Sequence, residues 1–107
     1  MSRVLAASLV LLVLNGSLAH ATVRNFFAPE VGGQRLDSCL TGASDCGKPA
    51  ADAFCKKEGY DNAVLFQREA VLTSLRLDGG ACTGASCKSF KQIKCFTEKS
   101  DMAAVQN

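Results

Sequence analysis

Six cysteines are the sequence feature that most restricts how this chain can fold. They lie in one stretch of a 107-residue sequence that has no Trp and a single His. They are Cys39, Cys46, Cys55, Cys82, Cys87 and Cys95. Thiols pair in oxidising compartments and usually stay reduced or bind metal in the cytosol. The interpretation of the cysteines therefore depends on whether the chain is exported.

The first 21 residues have the three parts of a secretory signal peptide. Arg3 supplies positive charge, residues 4–14 are an apolar run in which Ser8 is the one polar residue, and residues 19–21 (Ala-His-Ala) match a small-x-small cleavage pattern. A helix that spans a bilayer needs about 20 apolar residues, so this run is too short for an anchor. We therefore predict a secreted, extracellular product that begins at Thr22 and is not stably inserted in a membrane.

Cleavage of the predicted signal peptide removes His20, the single histidine of the sequence. Taking 21 residues from 107 leaves 86, and without Arg3 the 11 Lys and Arg nearly balance the 10 Asp and Glu. This balance gives no reason to expect a nucleic-acid partner. Without His there is no Ser-His-Asp triad and no H-E-x-x-H metal helix. The close carboxylate pair Glu58 and Asp61 is better explained as solvated. We predict no enzymatic activity and no cofactor.

The cysteine spacing favours disulfides over zinc, because no C-x-x-C pair occurs. A domain of this size buries a marginal core, so covalent cross-links contribute strongly to its stability. Six cysteines allow 15 connectivities, and sequence alone does not choose among them. We favour Cys82–Cys87, Cys39–Cys46 and Cys55–Cys95. The alternative keeps the first bridge and joins Cys46 to Cys55 and Cys39 to Cys95.

A helix is predicted over residues 49–58. Pro49 suits the first helical position, Asp52 lies in the expected first turn, and Gly59 is placed to end the helix in a left-handed conformation. Cys55 falls on the apolar stripe of this helix and is expected to point into the core.

Three strands are expected after the helix, over residues 63–70, 72–77 and 87–96. In the second, Leu75 and Leu77 share a face opposite Ser74, which is the period-2 pattern of a half-buried strand. The apolar residues of the third strand change parity, which predicts a bulge or a two-sided strand. The fold class is therefore α+β: one short helix packed on a small antiparallel sheet of about three strands, stabilised by three disulfides.

The chain divides into four predicted parts. These are a removable signal peptide (1–21), an N-terminal arm (22–34), a disulfide-stabilised domain (35–97) and a polar tail (98–107). The arm contains Phe26 and Phe27, which we expect to pack on the domain as part of an edge strand, although an exposed Phe pair also suits a docking point.

Two short loops repeat the tetrapeptide Thr-Gly-Ala-Ser between cysteines, at residues 41–44 and 83–86. Common turn residues make a chance repeat the simpler explanation. The loops and a basic stretch nevertheless supply candidate ligand contacts: Thr41, Ser44, Thr83, Ser86, Lys88 and Lys91. Lysines beside Phe residues can bind ligands, but the preferred interpretation of Lys88, Lys91 and Lys94 is protection of a sheet edge from pairing with another chain.

The segments CGKPAADAFCKKEGY (residues 46–60) and CTGASCKSFKQIKC (residues 82–95) resemble stretches of small secreted six-cysteine proteins of unassigned function. The resemblance implies one compact secreted module and carries no active site with it. We expect a non-enzymatic binding module that recognises an extracellular protein or glycan through its loops. The alternative is a secreted defence peptide or enzyme inhibitor.

Overall fold

The computed structural model describes residues 21–98. The predicted signal peptide up to residue 20 and the predicted tail from residue 99 lie outside the described residues. In chain order the described elements are β1 (Thr22–Phe27), β2 (Glu30–Val31), β3 (Gln34–Arg35), β4 (Cys39–Thr41), β5 (Ser44–Cys46), α1 (Lys48–Lys57), β6 (Asn62–Ala70), β7 (Thr73–Leu75), β8 (Ala81–Thr83) and β9 (Lys88–Thr97).

The main sheet has three strands in the order β1-β9-β6. Strand β9 lies in the centre and pairs antiparallel with β6, from Asn62 opposite Phe96 to Ala70 opposite Lys88. Three two-stranded pairs accompany it, β2-β3, β4-β5 and β7-β8. With one described helix on this sheet, the predicted α+β class is confirmed.

The membership of the sheet differs from the expectation in one strand. The segment around residues 72–77 forms only β7 and pairs with β8 in its own hairpin, because the turn at residues 78–80 returns the chain onto it. The third strand of the main sheet is instead β1, which precedes the helix. The predicted edge strand is therefore confirmed, and Phe26 is half-buried against the domain as expected. The expectation that Phe27 also packs on the domain is wrong, because its side chain lies on the opposite face of the strand and is 70% exposed.

Helix α1 begins one residue before the predicted start, so Pro49 occupies the second helical position and Asp52 lies beyond the first turn. The glycine after the helix is as predicted: Gly59 has a φ of 95°, a left-handed value that residues with a Cβ rarely adopt. The backbone amide of Tyr60 then donates to the carbonyl of Cys55 at 2.8 Å. The helix therefore ends at Lys57, one residue before the predicted end, and Gly59 terminates it as expected.

Two side chains of α1 fasten the helix to strand β6. The carboxylate of Asp52 accepts a hydrogen bond from the backbone amide of Ala63 at 2.8 Å, and the ammonium of Lys48 donates to the Ala63 carbonyl at 3.1 Å. Lys48 also pairs with Asp52 at 3.0 Å. The amide and the carbonyl of Ala63 are thus both bonded to side chains of the helix. Asp52 bonds to strand β6 and does not cap the helix N-terminus.

The predicted bulge in the last strand lies at Lys91. Gln67 pairs with Gln92 and Arg68 pairs with Phe90, so Lys91 has no partner in β6. The extra residue changes the parity of the strand, and Phe90 and Ile93 are consequently both fully buried. This is the physical reason for the irregular apolar pattern in the sequence.

Strand β7 does not follow the predicted alternation. Ser74 is fully buried, whereas Leu75 is only half-buried and Leu77 lies beyond the end of the strand. The burial of a serine is possible because its hydroxyl donates a hydrogen bond to the carboxylate of Asp37. The alternation rule treats every polar residue as solvent-facing and therefore misassigned this strand.

The three disulfides have the favoured connectivity. They are Cys39–Cys46, Cys55–Cys95 and Cys82–Cys87. The second bridge joins α1 to the central strand across 40 positions, and both of its cysteines are fully buried. Around it lies a small core that includes Leu36, Phe54, Phe90 and Ile93. Residues Val23–Thr97 form one compact unit.

Candidate functional site: a cleft between two cysteine-bounded loops

A cavity of about 180 Å³ lies where the two cysteine-bounded loops meet. Gly42 and Ala43 come from the tip of the first loop, and Ser86 comes from the second. Arg68 of β6 and Lys88 of β9 also line it. The two loops are far apart in sequence, so only the folded chain places them around one cleft.

The first loop is the β4-β5 hairpin. Cys39 lies directly opposite Cys46 in the strand register, and their side chains form a disulfide. Gly42 has a φ of 50°, a positive value that two-residue hairpin turns require at their first central position. The cross-link at the base and the tight turn at the tip give this loop little freedom to rearrange.

The second loop is closed by the Cys82–Cys87 disulfide and is also bonded to the segment before β7. The backbone amide of Gly84 donates to the carbonyl of Leu72 at 2.8 Å, and that of Val71 donates to the carbonyl of Cys87 at 3.0 Å. The loop is therefore held by a covalent bridge and by backbone hydrogen bonds on both sides.

Asp37 lies at the base of the cleft and is 3% exposed. One carboxylate oxygen accepts a hydrogen bond from the backbone amide of Cys39 at 2.8 Å, and the other accepts from the hydroxyl of Ser74. Ser74 pairs in register with Cys82. Asp37 thus connects the first cysteine of one loop to β7, the strand that pairs with β8, which carries the first cysteine of the other.

Arg68 and Lys88 are diagonal neighbours across β6 and β9, since Arg68 pairs with Phe90 two positions beyond Lys88. Diagonal cross-strand neighbours lie about 7–8 Å apart, with somewhat shorter Cβ–Cβ distances, within reach of long side chains. Within residues 21–98, neither cation forms an ion pair, whereas the nearby Arg35 is bonded to Glu69 at 2.6 Å. The cleft lining therefore has two cations that form no ion pair with a described carboxylate, and one carboxylate, that of Asp37.

The six candidate contact residues are distributed unevenly around the cleft. Ser86 and Lys88 line it. Thr41 and Ser44 face each other across the hairpin, on either side of the turn residues that line the cleft. Thr83 lies in β8 opposite Thr73, and Lys91 is exposed at the bulge; neither lines the cleft.

The preferred interpretation of Lys88, Lys91 and Lys94 as guards of a sheet edge is wrong, because all three lie in β9, the central strand of its sheet. Even at the Lys88 end the strand is engaged on both sides, by Ala70 of β6 and by the backbone amide of Ser38.

The cleft residues that had been missed include Asp37 and Arg68. No local signal marks either of them, since Asp37 is an ordinary turn-forming residue in the sequence and Arg68 looks like a solvated strand position. Only the strand pairing reveals Arg68 as a neighbour of Lys88.

Asp52, at the junction of helix and sheet, has a pKa below its ordinary value. Burial acts to raise this pKa, but the hydrogen bonds from the Ala63 amide and the Lys48 ammonium, together with the positive charge of Lys48, outweigh burial and lower it. Its role is therefore to stabilise the fold in the ionised form.

Within residues 21–98, no three His, Cys, Asp or Glu side chains are grouped so that they could hold a metal ion. No helix in this part of the chain is both long and apolar enough to cross a membrane. Comparison of the sequence with models of known protein families and with curated proteins, and of the fold with solved structures, found no match.

Proposed function

We propose that this protein is a secreted, non-enzymatic binding module that recognises an extracellular protein or glycan at the cleft between its two cysteine-bounded loops. The observation that carries the proposal is the convergence of the two loops. Gly42 and Ala43 of one loop and Ser86 of the other line the same cavity although they come from distant parts of the sequence. Rigid scaffolds commonly bind their partners through loops.

The loops are already held in place before any ligand arrives. Each is closed by its own disulfide, and the carboxylate of Asp37 connects the two through Cys39 and Ser74. A preorganised surface loses less conformational entropy on binding than a mobile one, so more of the contact energy appears as affinity. This supports binding as the role of the cleft.

The three disulfides, with no free cysteine among the described residues, suit an oxidising environment and support an extracellular location. The signal-peptide pattern at the start of the sequence supports the same location. Detection of the processed, oxidised chain in the culture medium of expressing cells tests this part of the proposal.

The binding role is tested with arrays of extracellular protein domains and of glycans, probed with the oxidised protein secreted from the full-length sequence. The key variant is Ser86→Tyr, which places a bulky side chain in the cleft. Its matched control is Thr83→Tyr, in the same stretch but outside the cleft lining.

A ligand that binds the wild type and the control but not Ser86→Tyr supports the proposal. If the arrays give no ligand, or if both variants bind as the wild type does, the proposed role of the cleft is wrong. Turnover of an array glycan or peptide, or leakage of liposomes at low protein concentration, would likewise contradict a non-enzymatic binding role.

A further inference from the structure

We propose that the cleft binds the anionic group, sulfate or carboxylate, of an acidic glycan, with Arg68 and Lys88 as the residues that recognise the charge. This inference rests on the proposed binding function and specifies its ligand. Arg68 and Lys88 both line the cavity, and within the described residues neither side chain is paired with a carboxylate.

The one carboxylate in the cleft lining does not cancel these charges by direct pairing. Asp37 is buried, and its two oxygens are occupied by the Cys39 amide and the Ser74 hydroxyl. Its hydrogen-bonding capacity is directed at the scaffold, whereas Arg68 and Lys88 are exposed. A ligand that enters the cleft therefore meets cations that are free to bind and a carboxylate that is already engaged.

The two cations suit an oxyanion in complementary ways. The planar guanidinium of Arg68 can donate two parallel hydrogen bonds to a sulfate or carboxylate, and the ammonium of Lys88 acts as a second point charge. Ser86 adds a hydroxyl beside them. An uncharged ligand would leave both cations without new partners, so the cleft favours an anion.

The remaining lining favours a glycan over an acidic peptide. Protein ligands usually anchor through an aromatic or large aliphatic side chain inserted in an apolar pocket. The lining of this cleft contains no large apolar side chain; besides its charged residues it has only Gly, Ala, Ser and disulfide-bonded Cys. Such a surface can satisfy the hydroxyls and the anionic group of an acidic sugar but offers no anchor for a hydrophobic residue.

The test measures binding of the oxidised protein, secreted from the full-length sequence, to three probes by calorimetry. The probes are a sulfated glycosaminoglycan oligosaccharide, the same oligosaccharide after desulfation, and an oligoglutamate peptide. The cleft variant is Arg68→Gln with Lys88→Gln. The matched control is Lys57→Gln with Lys91→Gln, which removes the same charge at exposed positions outside the cleft.

We expect the sulfated oligosaccharide to bind, desulfation to weaken it, and the cleft variant to lose about tenfold or more in affinity while the control changes by about twofold or less. Unchanged thermal unfolding of both variants shows that each is folded. Equal losses in the two variants, tighter binding of oligoglutamate, or no binding of any probe would overturn this inference.

The experiments distinguish a failure of this inference from a failure of the proposed binding function. Suppose that a neutral glycan or a protein fails to bind the Ser86→Tyr variant but binds the Arg68 and Lys88 double variant as it binds the wild type. The cleft would then remain a binding site, and its preference for anions would be refuted.

Discussion

Asp37 and Ser74, 37 positions apart in the sequence, meet in a buried hydrogen bond in which the serine hydroxyl donates to the carboxylate. The same carboxylate accepts from the amide of Cys39. Because Ser74 pairs with Cys82 in the β7-β8 hairpin, this small group of polar atoms fixes the two cysteine-bounded loops relative to each other. The shape of the cleft therefore depends on residues that a ligand need not touch.

Ser74→Ala is expected to lower the free energy of unfolding by about 1–3 kcal/mol, because it leaves one buried carboxylate oxygen of Asp37 without a donor. Urea denaturation of the oxidised protein measures the effect. Thr73→Ala, at the exposed neighbouring position, is the control and should change stability by about 0.5 kcal/mol or less. Equal effects in the two variants would mean that the Asp37–Ser74 contact is not important for stability.

Replacement of Cys55 and Cys95 together by Ala should destabilise the protein more than the same replacement of Cys82 and Cys87. The first bridge closes 40 positions and the second closes 5, so chain entropy predicts losses of about 4 and about 2 kcal/mol. Burial of the first bridge adds to its loss through a cavity. Thermal unfolding of the two double variants tests this order, and a reversed order would contradict it.

Asp52 should make stability depend on pH under acidic conditions. Its folded pKa lies below the ordinary value of 3.8, so the unfolded state binds its proton more readily and stability falls as pH is lowered from about 5 through the folded pKa. Asp52→Asn should lose this dependence. Urea midpoints of both proteins measured from pH 7 to pH 2 should converge at the acid end, and a constant gap at every pH would refute the role of the ionised carboxylate.

Phe26→Ala should cost about 2 kcal/mol, whereas Phe27→Ala should change stability by about 0.5 kcal/mol or less. The ring of Phe26 lies 5.1 Å from that of Phe54 and 6.1 Å from that of Tyr60, both nearly perpendicular, while Phe27 is mostly exposed. Denaturant unfolding of both variants gives the comparison. A larger loss for Phe27 would show that β1 presents the opposite face to the domain.

Local chemistry made several elements predictable. The helix was expected from Pro49 at its start and Gly59 at its end, and the structure agrees to within one residue at each boundary. The irregular spacing of Phe90 and Ile93 predicted either a bulge or a two-sided strand before any partner strand was known, and the strand register shows the bulge.

Contacts between distant residues were not predictable in the same way. The burial of Ser74 depends on Asp37, and the position of Arg68 beside Lys88 depends on the pairing of β6 with β9. A pattern of alternating polarity predicts the burial of each residue from its neighbours in sequence. It cannot predict that a strand from elsewhere in the chain supplies a polar partner that allows a polar residue to be buried.

The amino-acid sequence by itself determined the helix, the α+β class and the cysteines available for cross-linking, since these follow from the backbone preferences and side-chain types of nearby residues. Only the tertiary structure decided which strands share the sheet, that β9 rather than an edge strand carries the lysines, and that two distant loops form one cationic cleft. The physical reason is that strand pairing and buried hydrogen bonds join groups far apart in the chain. These interactions stabilise the protein only when the whole domain is folded.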